Sequence, residues 1–86
     1  MGELRVRKIQ EFIKQEVSNI LLRELKDPRL GFVTVTDARI TGDLREATVY
    51  VSLFGKPEEK QNTMKALKNA TGYIRTEVGR RFGIRY

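Results

Sequence analysis

Cysteine and histidine are absent from this 86-residue chain, and proline occurs twice. Without cysteine there is no disulfide and no thiolate nucleophile. Without histidine there is no imidazole acid–base chemistry, and the two absences together remove the usual zinc ligands. Both weigh against an enzyme. Aromatic residues make up only 8% of the chain, so most packing must come from Val, Ile and Leu. No apolar run approaches the roughly 20 residues of a membrane span. The opening MGELRVRKIQ lacks the apolar core of a secretory signal, so the chain reads as cytosolic. Repeats and low-complexity segments are also missing.

What is present is globular: 40% hydrophobic and 33% charged residues. Residues 1–86 read as one domain, because a chain of this length buries only about 60% of its unfolded surface and cannot divide its core. The net charge of +6 and the pI near 10 suggest an anionic partner, nucleic acid ahead of an anionic membrane surface. The excess is unevenly placed. From Met64 to the C-terminus six basic residues oppose Glu77 alone, a net of +5, while residues 1–63 hold eleven basic and ten acidic residues, a net of +1.

Leu4 to Leu25 reads as a helix, since Val6, Ile9, Ile13, Val17 and Ile20 follow the 3.6-residue period with Phe12 and Leu21 on the flanks. Glu16 falls inside that stripe and should sit at its rim or meet a cation. Lys26-Asp27-Pro28-Arg29-Leu30-Gly31 ends the helix. Phe32 to Thr41 reads as a strand whose alternation slips between Val33/Val35 and Ala38/Ile40, which a bulge near Asp37 reconciles. Thr41 to Arg45 supplies a turn. Glu46 to Phe54 alternates as a second strand, and the two form a hairpin. Pro57 suits a first helical position, and Glu58 and Glu59 complement the positive end of the helix that follows.

The stretch MKALKNATGYIRTEVGRRF, Met64 to Phe82, reads as two short helices meeting at Gly72, because glycine costs about 1 kcal/mol in a helix interior. The expected order is helix, strand, strand, helix, kink, helix, an α+β fold with helices on one face of a hairpin. Only Ile84-Arg85-Tyr86 remains to begin a third strand, and a two-stranded sheet is marginal by itself.

Read end to end, the chain resembles the ribosome-binding factor A family. The most specific run is DPRLGFVTVTDARITGDLREATVYVS, in which Asp27-Pro28-Arg29-Leu30 closes the long helix, Asp43-Leu44 sits in the hairpin turn and Ala47 to Ser52 forms the second strand. The second is Ala70-Thr71-Gly72 followed by Tyr73-Ile74-Arg75. The resemblance implies a type II KH fold in which an Ala-x-Gly kink replaces the Gly-x-x-Gly loop of KH domains. It also implies an assembly factor, without catalytic activity, that docks on the immature small ribosomal subunit, contacts its ribosomal RNA and assists its processing and maturation. Family members continue into a third strand and a flexible tail, so the third strand is expected to be truncated at Tyr86.

Small residues at such a kink let a phosphate approach, and the helix beginning there would turn its N–H groups toward an anion. Charge and resemblance together single out Lys65, Lys68, Ala70, Thr71, Gly72, Arg75, Arg80, Arg81 and Arg85 as RNA contacts. Arg5, Arg7 and Lys8 form a secondary cluster. We expect a monomer with no cofactor, no metal and no membrane contact. The rival is a DNA-binding helix-turn-helix, since two helices joined at a glycine fit it also, but only Thr71, Arg75 and Thr76 are placed to read bases. Catalysis would have to rest on Asp37, Asp43, Glu77 or the tyrosines. Those acids form no spaced pair; Glu77 reads as a helix-surface partner of Arg80 or Arg81 and Tyr50 as a strand-face residue.

Overall fold

A computed structural model of the chain describes residues 3–42 and 46–83. Helix α1, Glu3–Asn19, runs directly into one π-helical turn, Ile20–Glu24, closed by the Leu25 N–H donating to the Ile20 carbonyl at 3.1 Å. In the wider turn Ile20 and Leu21 are both buried and Leu22 is left facing solvent. The expected single helix to Leu25 thus has its α-helical part end at Asn19. Asp27 then reverses the chain. Its side chain accepts from the Arg29 N–H at 2.9 Å and its carbonyl from the Leu30 N–H at 3.0 Å.

Strands β1, Val33–Ile40, and β2, Ala47–Leu53, form an antiparallel two-stranded sheet among the described residues. The register shifts between Val35 and Asp37, which is the bulge that the slipped alternation requires. Its effect is to turn Val35 before it and Ala38 after it onto the same buried face. The Gln10 side chain accepts from the Ile40 N–H at 3.0 Å, capping the outer edge of β1. Asp43, Leu44 and Arg45 of the hairpin turn lie outside the described residues. So do Ile84, Arg85 and Tyr86, and with them the expected start of a third strand.

Helix α2, Pro57–Gly83, begins at the expected proline, with Glu58 and Glu59 in its first turn. Gly55, at φ 113°, makes the sharp entry, and Glu59 Oε1 accepts from the Lys56 N–H at 3.0 Å. The helix is unbroken across 27 residues, so the kink at Gly72 is not formed. The reason is that Leu67, Ile74 and Val78 continue one apolar stripe onto the core built by Val17, Leu21 and Val35. Burying that stripe on both sides of Gly72 outweighs a glycine penalty of about 1 kcal/mol. Both helices lie on one face of the sheet. The α+β class, the hairpin and the helical cover are as expected and consistent with a KH-like fold; the helix-kink-helix is one helix.

Candidate nucleic-acid interface

An unbroken α2 changes which residues come together. Lys65, Lys68, Gly72, Arg75 and Gly79 recur at alternate steps of three and four, so they share one face, and all five are exposed. A methyl group built on Gly72 or Gly79 would meet nothing within 4 Å, so the helix backbone is bare between the cations. Lys68 and Arg75 also rim an apolar groove of about 980 Å³ that runs between α2, α1 and β2, floored by Val17, Val49, Val51, Leu67 and Ile74.

Ala70 and Thr71 do not join Gly72 in an exposed turn. Ala70, two residues from Gly72, points to the other side of the helix and is half-buried, and the Thr71 hydroxyl donates to the Leu67 carbonyl at 2.9 Å. The backbone N–H groups here belong to the interior of α2 and are used in its own ladder, so the expected anion site at a helix start is absent. The same continuity removes the helix-turn-helix reading, which needs a turn at Gly72.

Arg80 and Arg81 part company. Arg80 is exposed and pairs with Glu77 at 2.6 Å. Arg81, whose side chain is 27% exposed, is held by Glu16 at 3.1 Å, by Glu77 at 3.4 Å and by Glu24. It ties α2 to α1 and to the π-helical turn, and it supplies the cation that Glu16 was expected to need. Glu24 also accepts from the Tyr73 hydroxyl at 2.8 Å. These bonds, Arg81 first and Tyr73 second, hold the Glu24 carboxyl below the usual range. The same carboxylate raises the pKa of Tyr73 and that of Arg81. Two arginines against three carboxylates leave this corner formally negative, so Arg81 holds helices together where the sequence suggested a phosphate contact.

Arg5, Arg7 and Lys8 are exposed in the first turns of α1. The Phe12 ring lies 5.6 Å from that of Phe82, centroid to centroid, which brings the middle of α1, about one turn beyond Lys8, beside the end of α2. Arg85 lies outside the described residues. The acids considered for catalysis are engaged: Asp37 accepts from the Ala38 N–H at 2.8 Å and from Arg39 at 3.0 Å, and Glu77 holds both arginines. Asp43 is outside the described residues.

Three structural partners escaped the sequence reading: Thr63 to the Gly31 N–H, Tyr73 to Glu24, and Gln10 to Ile40. Thr63 had a weak signal, as a hydroxyl within the helix stripe; the other two join residues 49 and 30 apart and had none.

A family model described as ribosome-binding factor A matches residues 5–86. The ribosome-binding factor A of Halothermothrix orenii is 48% identical over 86 residues, which is all of this chain and 70% of that protein. The crystal structure of ribosome-binding factor A from Thermus thermophilus superposes with a TM-score of 0.74 at 25% identity, covering 88% of this chain and 80% of that one. Sequence match along nearly the whole chain and a shared arrangement of helices and hairpin lead to one conclusion: the chain belongs to the ribosome-binding factor A family.

Proposed function

We propose that this protein is a ribosome assembly factor that binds the immature small ribosomal subunit and its ribosomal RNA, assisting RNA processing and maturation as a cytoplasmic, non-enzymatic monomer. Family membership supports the ribosome as target. The observation that carries the RNA contact is the alignment of Lys65, Lys68 and Arg75 on one exposed face of α2, with Gly72 bare between them. Cations spaced along a straight helix follow a phosphate backbone, and the missing Cβ at Gly72 lets that backbone come close. Thr71 flanks the contact while Ala70 faces away from it, Arg80 extends it, and Arg5, Arg7 and Lys8 form a second basic patch at the end of the helix pair. Arg81 acts through position, by holding α2 against α1.

Co-sedimentation with immature small subunits in rising salt tests this. Each phosphate contact contributes about 0.7 to 0.9 to the slope of log affinity against log salt, so changing Lys65, Lys68 and Arg75 together to alanine should flatten it by about 2. Changing Lys14 and Lys26 should leave it unaltered. Equal effects from the two sets would mean diffuse attraction and no site on α2.

A further inference from the structure

The face of the hairpin that the helices leave open is aromatic. Val33, Val35, Ala38, Val49 and Val51 face the core side, so the residues between them face outward. Just past the paired strands the Phe54 N–H donates to the Phe32 carbonyl at 3.1 Å, which continues the pairing by one rung and sets these two residues across from each other at the end of that face. They are 83% and 52% exposed, and Tyr50 is 50% exposed. Tyr50 lies about 13 Å further along β2 at the usual rise per residue. Between the aromatics are Thr34 and Ser52, and no Val, Ile or Leu stands among the described residues of this face. A surface that docks a protein core would be expected to offer aliphatic side chains; this one offers flat rings separated by hydroxyls.

Its formal charge is balanced, Arg39 and Lys56 against Asp37 and the exposed Glu46, so what it offers a phosphate is one oriented guanidinium. Asp37 is directly across from Tyr50, and its Oδ2 accepts from Arg39 Nε at 3.0 Å while its Oδ1 accepts from the Ala38 N–H. That contact orients the guanidinium and leaves its two terminal nitrogens with no partner among the described residues, a fork suited to a phosphate. Arg39 pairs across the sheet with Thr48, next to Tyr50. At the other end Lys56, two residues beyond Phe54, is exposed and makes no ion pair among the described residues. An aromatic strip with a cation toward each end complements a strand whose bases are free to stack.

We propose that this outer sheet face is a second nucleic-acid site, which takes single-stranded RNA by stacking bases on Phe32, Phe54 and Tyr50 and seating a phosphate on Arg39. It lies on the opposite layer from α2 and goes beyond the contact proposed there. A duplex keeps its bases inside and gains nothing from the rings, so the site selects single strands.

The test uses the full chain with fluorescein-labelled oligo(U) and an RNA hairpin duplex of equal length. Tyr50→Leu, and Phe32→Leu with Phe54→Leu, keep apolar bulk but remove the rings; Tyr50→Thr, which preserves strand preference, is the second variant should a leucine variant misfold. Each change should weaken oligo(U) binding about tenfold and leave duplex binding unaltered. Arg39→Gln should weaken oligo(U) binding and reduce its salt dependence. Unaltered oligo(U) affinity in folded aromatic variants overturns the site, as does an equal loss for the duplex, which charge alone would produce. Loss of subunit binding with oligo(U) affinity intact overturns it too, and makes the face a protein contact. The α2 triple variant measured alongside reads the other proposal separately, through its salt slope on immature subunits.

Discussion

The Thr63 hydroxyl, wholly buried in α2, accepts a hydrogen bond at 3.1 Å from the backbone N–H of Gly31 while donating to the Glu59 carbonyl at 2.9 Å. One side chain thus fastens the connection leading into β1 to the first third of the long helix. A Cβ on Gly31 would stand 3.0 Å from that oxygen, so the small residue and the hydroxyl fit as a pair.

Thr63→Val keeps the shape and deletes the bond, and should cost about 1 kcal/mol; Thr63→Ser should cost less. Urea melts would show this as a lowered midpoint at constant slope. A valine variant as stable as the wild type would mean that the contact contributes nothing.

Gly72→Ala should stabilise the protein by about 0.5 to 1 kcal/mol, since the position is helical and its Cβ would meet open space. The thermal midpoint should rise. A fall would mean that the backbone at Gly72 is not helical in solution. If RNA affinity drops while stability rises, the bare backbone is a contact surface.

Arg81→Gln and Arg80→Gln should separate stability from binding. The first strips the cation from Glu16, Glu24 and Glu77 and should lower the thermal midpoint clearly. The second removes one exposed pair and should barely move it. For subunit binding the order should reverse once both variants are compared below their midpoints. Equal midpoints for the two would show that the three-carboxylate cluster does not hold the helices.

Acid should loosen the same cluster. Glu24 has its carboxyl pKa lowered in the folded state, so its contribution is present above the unfolded value of about 4.3 and disappears as pH falls through the lower folded value. Wild type should therefore lose stability from about pH 5 downward, and Glu24→Gln should show a shallower loss there at lower stability near neutrality. Melts at neutral and acidic pH would measure it; parallel pH profiles would remove Glu24 from the cause.

What the sequence determined by itself is the set of local decisions. The helix from residue 3, the turn at Asp27-Pro28, the bulge before Asp37, the hairpin and the start of α2 at Pro57 all follow from period, turn chemistry and strand alternation within a few neighbouring residues. The basic character of residues 64–86 and the family resemblance were legible in the same way. The tertiary structure decided what depends on burial at a distance. Local propensity placed a break at Gly72, but propensity is worth about 1 kcal/mol and the apolar stripe of Leu67, Ile74 and Val78 is worth more once a core exists to receive it. The fate of the arginines was hidden for the same reason. Arg80 and Arg81 are neighbours of equal charge in the chain, and only the packing of α2 on α1 puts the second within reach of Glu16 and Glu24, residues 65 and 57 positions away, while leaving the first to solvent.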